Sequence, residues 1–568
     1  MSRVQSLPGL PRGRFAAPLG FMFAAVLFAL PDLMMWHTLG DRFVPFSVSP
    51  PVSAQTYDET QLYVPGARRF MEEGVVRTEV DVFELRDARS AYPVLHAIVM
   101  GGLGRLFGSL EAAWVVGHGL FPAMTWLLLY AIGRRHGLSP LSAASLSAVV
   151  CLVPFGPRNA LLQGHFALVQ PLELSRTPHP SLSFMVCLAA ACATGVAVQA
   201  GRVALLVLAG LLVGINFYAY YFSWVALGLG FATWFMAALA TGRHREAASL
   251  AIVGAAAVAA GSQYLLLLWH LSASGTQSEL MARVGDIGRT VDALNLTLSL
   301  VIVAGLLAAY ARSSFSPATN ALVFLLCGGL LGQHLQLLTG YNPQHGHFLN
   351  RLIQPLSAFL VGLLLLPRVR DVRSIRLASI LVLSSLVTIA SYRQISVARA
   401  MTPAHDRNQP YLALIDRLAA ILPPGAVVAA SDRDTFTTLP ALTSMWTFVP
   451  LGDRTQAAHR EILTRYLIVR KLEGADRAAV HADFTTPTAS QKGDRLLDYV
   501  LGLEHVYPRI IEQVDELWDG LDPARELSAR RIDYLVTSAA PALPPGWQAR
   551  EVALVGRWHV LKLARPNS

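Results

Sequence analysis

Charge is what this sequence has least of. Asp, Glu, Lys and Arg make up only 15% of its 568 residues, against about a quarter in soluble chains. Hydrophobic residues make up 53%, and the mean hydropathy is +0.44. That balance excludes a globular cytosolic enzyme and a disordered chain. Cysteine is scarce as well. Cys151, Cys187, Cys192 and Cys327 all fall inside apolar segments, with no spacing for a disulfide framework or a metal cluster, and act there as small hydrophobes. No small-residue cleavage site follows the first apolar run, and there is no internal repeat, heptad or low-complexity tract. The net charge of +9 is not a nucleic-acid footprint, because the Arg residues sit in short loops between apolar blocks, which is the pattern of membrane topology.

What is present in quantity is apolar runs near 20 residues, the length that spans a bilayer as helix. The first, from Phe15 to Trp36, follows Arg3, Arg12 and Arg14, which predicts an uncleaved first span with its N-terminus in the cytoplasm; Pro31-Asp32 interrupts its end. Further spans are expected near 111–132, 138–155, 181–199, 203–219, 221–240, 247–270, 291–310, 320–338, 352–366 and 377–392. The chain therefore reads as a polytopic α-helical membrane protein of about eleven spans.

Residues 92–107 decide the orientation of everything after them. As helix they reach only ~24 Å, short of the ~30 Å hydrocarbon core. If they lie on the outer surface, Arg134-Arg135-His136, Arg202, Arg243/Arg245, Arg312 and Arg368/Arg370/Arg373/Arg376 all fall inside, as the positive-inside rule requires. Residues 37–110 are then one long outer loop with helices along the membrane, and 156–180 a second outer loop. From about residue 400 acidic residues become frequent and spanning blocks stop, which divides the chain into a membrane module, 1–399, and a soluble domain, 400–568. A helix over 411–422, stopped by Pro423-Pro424-Gly425, and short strands at 427–430, 534–536 and 558–563 make that domain α/β. Eleven crossings from an inside N-terminus place it on the extracytoplasmic, periplasmic side.

The polar residues hardest to explain structurally gather on that face. Tyr57-Asp58-Glu59-Thr60 puts two carboxylates in the first outer loop, where they can deprotonate a hydroxyl or hold a divalent cation; the bland alternative is a helix start, since acids favour a first turn. The second loop offers Arg158, His165, Glu173, Arg176 and His179 in an uncharged stretch. Arg presents a planar fork of donors suited to phosphate, although Arg also anchors span ends. His345-Gly346-His347 could ligate a metal, with hydrogen-bonded loop histidines as the simpler account, and Arg351 follows at a span start. Candidate metal ligands are thus Asp58, Glu173, His345 and His347. Within the spans, His118 and His334 are expected to pair with neighbouring helices, and no Asp/Glu/Lys relay of the kind proton-coupled transport needs is found.

This order of features resembles the GT-C superfamily of integral-membrane glycosyltransferases, which includes oligosaccharyltransferase catalytic subunits, protein O-mannosyltransferases and lipid A aminoarabinose transferases. A first span leads into an outer loop with Asp58-Glu59. Surface helices follow at Tyr92-Pro93-Val94-Leu95 and Leu106-Phe107-Gly108, then a span ending in Gly133-Arg134-Arg135, a second outer loop, many spans and a soluble terminal domain. The resemblance implies that Asp58 activates the acceptor or binds a metal, that Glu59 fills the second place of the Asp-Glu form, and that Glu173 is the acid of the second loop. It implies a donor sugar on a polyprenyl phosphate or diphosphate, with Arg176, Arg351 and His165 toward the phosphate, and an acceptor that is a glycan, lipid or protein. Glu173 lacks the Asp-x-Asp form of oligosaccharyltransferases, and the terminal domain has no Trp-Trp-Asp motif, which argues against sequon reading. The expected activity is therefore sugar transfer on the outer face of a bacterial-type inner membrane. A transporter or flippase of lipid-linked glycan, and a non-catalytic assembly or sensor protein, are the alternatives.

Overall fold

The computed structural model describes residues 16–46, 62–89, 93–153, 172, 174, 176–274, 279, 286–287, 289, 291–312, 315–342, 346–368, 371–452, 454–485 and 510–564. Helix α1 (Ala16–Leu39) is followed by α2 (Val64–Glu73) and α3 (Leu95–Phe107). Then come α4 (Leu110–Arg135), α5 (Pro140–Leu152), α6 (Ser181–Ala200), α7 (Val203–Ile215), α8 (Tyr221–Ala240) and α9 (His244–Ser274). The membrane part closes with α10 (Ala293–Arg312), α11 (Pro317–Gly332), α12 (Gln354–Leu365) and α13 (Val372–Ile421). Nine helices among the described residues are long and apolar enough to cross a bilayer, and they coincide with nine of the eleven expected spans. The chain is an integral membrane protein. The other two expected spans, α5 and α7, are apolar but have 13 residues each, about 20 Å of helix, so length alone does not make them spans.

Small residues set the bundle's closest approaches, as expected where lipid supplies no hydrophobic drive between helices. A Cβ on Gly328 of α11 would lie 1.9 Å from the Ala226 carbonyl oxygen of α8, and one on Gly230 would lie 2.2 Å from that of Phe324. Gly210 and Gly214 bring α7 against α9, where a Cβ would lie 2.5 and 2.9 Å from the carbonyl oxygens of Val253 and Ala257. α1 runs through Pro31-Asp32 instead of ending there. Its buried Asp32 is satisfied by His118 Nδ1 of α4 at 2.5 Å, so the Pro31-Asp32 pair expected to interrupt the span lies within it.

α13 continues past residue 400 to Ile421, 50 residues in all. The helix expected over 411–422 is its end, held by Leu414, Ile415 and Leu418 against a sheet. That sheet comprises β1 (Val427–Ala429), β2 (Trp446–Thr447), β3 (Tyr534–Thr537), β4 (Gln548–Val555) and β5 (Trp558–Ala564), in the order β2-β1-β3-β5-β4. β1 is parallel to β2 and β3, and the remaining pairs are antiparallel. Strands β1, β3 and β5 match the expected ones. β2 is too short and β4 too exposed to carry a hydrophobic signal.

The segment between α1 and α4 is built into this domain. The Arg69 guanidinium donates to the carbonyls of Ser444 and Met445 at 2.5 and 2.6 Å and lies 4.1 Å over the Trp446 ring. Beyond α2, Val82 enters the domain core. Asp81 accepts from Arg454 Nη2 and Nε at 2.6 and 2.9 Å, with both side chains buried. Glu79 accepts from Thr455 Oγ1 and the Gln456 N–H at 2.9 Å each. A buried ion pair holds only when both charges are fully hydrogen-bonded, and here they are. The connection after α9 meets the same domain, where Glu279 accepts from the His459 N–H at 2.9 Å, and its Asp286–Ile287 pairs with Tyr341–Asn342 beyond α11.

Candidate functional site

Five separate parts of the chain converge at one place. Tyr63, at the head of α2, sets its ring edge-on to His96 of α3 at 5.0 Å and to His179 at 4.8 Å. His179 belongs to the turn 176–180 before α6, where the Ser181 N–H closes on the Arg176 carbonyl at 3.2 Å. That turn rests on α4 because Gly117 leaves room: a Cβ there would lie 3.0 Å from Thr177 Cγ2. Tyr220, which caps the start of α8, stacks on His179 at 4.5 Å with rings 15° apart. Its hydroxyl accepts from Arg351 Nη1 at 2.7 Å and hydrogen-bonds His347 Nδ1 at 2.9 Å. Arg351 projects from the π-helical turn Leu349–Ile353 that leads into α12, a type of local widening frequent at functional sites.

Two of the expected phosphate ligands, Arg176 and Arg351, thus meet around His179. Burial first, then His96, Arg351 and Arg176, holds the His179 imidazole well below its ordinary pKa, and burial alone takes His96 down to about 3. Both rings are neutral at any physiological pH. The cations at the site are the guanidinium groups, whose forked donors suit a phosphate. His347 also joins the site, through Tyr220 and Arg351 Nη1 at 3.3 Å, and a cation so close disfavours a metal on that nitrogen. Among the described residues no three His, Cys, Asp or Glu side chains are grouped to hold a metal ion.

Asp58, Glu59, His165, Glu173 and His345 lie outside the described residues. Along the chain, Asp58 is five residues before Tyr63, and Glu173 three before Arg176. Tyr63, His96 and Tyr220 escaped the sequence reading. An aromatic at a span end reads as a belt residue, and nothing in the spacing ties positions 63, 96 and 220 together.

An apolar groove of about 350 Å³ opens beside the site between α7, α8 and α9, lined by Val213, Phe217, Trp224, Phe231, Leu250 and Val258 among others. Phe217 and Trp224 stack at 5.2 Å at the end where Tyr220 lies between them in sequence.

No family model and no curated protein matches this sequence. Among solved structures, the chain is similar to ArnT from Cupriavidus metallidurans, whose crystal structure has undecaprenyl phosphate bound: TM-score 0.45, 14% identity, covering 76% of this chain and 86% of that one. It is also similar to an Archaeoglobus fulgidus oligosaccharyltransferase in complex with Zn and sulfate: TM-score 0.29, 13% identity, covering 92% of this chain and 67% of that one.

Proposed function

We propose that the protein is a glycosyltransferase that moves a sugar from a polyprenyl-phosphate-type lipid donor to an acceptor on the extracytoplasmic face of the membrane. The observation that carries this reading is the meeting of Arg176, Arg351 and the Tyr220 hydroxyl around a neutral His179, beside a groove that is apolar throughout its lining. Phosphate-binding chemistry next to a slot for a hydrocarbon chain fits one molecule, a long-chain lipid phosphate.

Contacts between the loops support the sidedness. Tyr63 touching His179, His179 stacking on Tyr220, and Glu279 bonding the domain that also holds Asp81 put all of these segments on one side. The chain can return to that side each time only if α5 and α7 also carry it across, which makes eleven crossings, and only if α3 does not cross. Arg134/Arg135, Arg202, Arg243/Arg245, Arg312 and Arg368/Arg373/Arg376 then share the opposite side, which the positive-inside rule makes cytoplasmic. Helices of about 20 Å that start at the inner surface end below the outer one, and Tyr220 and the turn 176–180 follow such helices. Tyr220 is therefore recessed below the outer surface, where it is reached from the outer leaflet.

In the reaction, Arg351 and Arg176 bind the donor phosphate and stabilise the charge it gains as it leaves. Asp58 takes the proton of the acceptor hydroxyl while that oxygen attacks the anomeric carbon from the face opposite the phosphate. The new C–O bond forms as the bond to the phosphate oxygen breaks, and the bonding pair departs with the phosphate. Glu173 is the second acid of the site. The test is transfer activity in membranes supplied with polyprenyl-linked sugars. Asp58→Asn, which can still cap a helix, lowers transfer by about 10²–10⁴-fold at parental expression. Full activity in that variant refutes the assignment and favours a non-catalytic role for Asp58-Glu59.

A further inference from the structure

Phosphate binding does not account for two of the side chains at the site. Neither ring nitrogen of His179 has a hydrogen-bond partner among the described residues, nor does Nδ1 of His96, although the residues are only 2% and 4% exposed. Buried polar side-chain atoms are nearly always partnered, and a group of orphans in one place asks for an explanation. The two rings lie 5.8 Å apart, centre to centre, with Tyr63 edge-on to both and Tyr220 flat against one. Burial holds the two imidazoles of this quartet toward their neutral form, while the guanidinium groups belong to Arg176 and Arg351.

We propose that Tyr63, His96 and His179 form the subsite for the sugar of the donor, and that the sugar it takes is a neutral, hydroxyl-bearing ring. The proposal rests on the reading of the site as one for a lipid-linked sugar. A neutral imidazole has one N–H donor and one bare nitrogen acceptor, and a hydroxyl both gives and takes a hydrogen bond. Two such imidazoles therefore match vicinal hydroxyls, whereas an ammonium only donates and a carboxylate only accepts. Aromatic faces set around a few convergent polar groups are the usual lining of a small-molecule site, and here they can cover the C–H face of a sugar ring. The binding labour is thus divided: arginines for the phosphate, neutral rings for the sugar.

Equilibrium binding to the purified full chain in lipid nanodiscs tests this, using decaprenyl phosphate bare, bearing glucose, galactose, mannose or arabinose, or bearing 4-amino-4-deoxyarabinose. At least one neutral sugar tightens binding tenfold or more over the bare lipid, and the amino sugar does not tighten it. His179→Phe keeps a ring for Tyr220 to stack on but removes both nitrogens. It cuts the sugar increment, the ratio of the affinities for the sugar-bearing and the bare lipid, to under twofold. His96→Phe is read in the same way, so misfolding of one variant does not decide the matter. The sugar subsite is overturned if no neutral sugar tightens binding, if the amino sugar is the one preferred, or if both variants retain the increment. A parent that binds no decaprenyl phosphate in any form overturns the phosphate site as well. Loss of the sugar increment alone leaves the phosphate site standing.

Discussion

The buried pair between Asp81 and Arg454 is the sharpest structural lever on the molecule, because it fastens the loop that carries α2 and Tyr63 to the C-terminal domain. Asp81→Asn keeps the shape but removes the carboxylate charge that the Arg454 guanidinium pairs with at 2.6 Å; the two side chains are 0% and 2% exposed. Breaking a buried pair from one side costs about 3–5 kcal/mol. At about 1.4 kcal/mol per tenfold, that corresponds to opening of the clasp some hundred- to several-thousand-fold more often. Hydrogen exchange reads the opening at Val82 and Gln456, whose N–H groups bond Glu79 rather than Asp81. Asp406→Asn is the control. Its partner Arg42 is 57% exposed and Asp406 itself 51%, so that loss is at most ~1 kcal/mol. Replacing the pair together, Asp81→Leu with Arg454→Met, restores most of the protection, because no charge is then stranded. If Asp81→Asn exchanges within fivefold of the parent, or no faster than Asp406→Asn, the clasp does not hold the two parts together.

Burial, then the charge of Asp81, pushes Glu79 up to about 6 from 4.5, against backbone hydrogen bonds that pull it down. Between those values the docked loop holds more protons than the free one, so docking is strongest below pH 4.5 and weakens by about 2 kcal/mol as pH rises through 6. Protection at Val82 and Gln456, corrected for intrinsic exchange, falls from pH 5 to 7 in the parent and stays flat in Glu79→Gln. For topology, a cysteine introduced at Arg373 is labelled by a membrane-impermeant maleimide only after the membrane is opened; labelling from outside intact cells refutes the orientation. Gly328→Val forces a side chain into the Ala226 carbonyl 1.9 Å away and abolishes accumulation of folded protein, whereas Gly305→Val, with open space around it, accumulates normally. Equal yields by fluorescence-detected size exclusion contradict the close contact between α8 and α11.

Much of the membrane architecture was legible because hydropathy and Arg placement report on solvent directly, one residue at a time. Nine spans follow from that alone, and Leu95–Phe107 is too short to be counted among them. Arg176 and Arg351 were found for the same reason, as cations where lipid disfavours them. Tyr63, His96 and Tyr220 were not legible beside His179, since neutral rings carry no signal until helix packing brings them together. The clasp was hidden by distance: Glu79 and Asp81 read as ordinary loop acids, and their partners Thr455 and Arg454 lie more than 370 residues away. Asp32 was passed over as the end of a span, whereas its burial against His118 lets α1 continue past Pro31.

The proposed function puts a lipid phosphate at Arg351 and Tyr220 with its chain in the adjoining groove. A cryo-electron microscopy map of the full chain in nanodiscs with saturating decaprenyl phosphate is the direct test. Phosphate density is expected within hydrogen-bond distance of the Arg351 guanidinium and the Tyr220 hydroxyl, continuous with chain density running past Trp224 and Phe217 toward Val258, both absent in Arg351→Ala. A phosphate bound elsewhere on the protein, or an empty site in the parent at saturation, would contradict it.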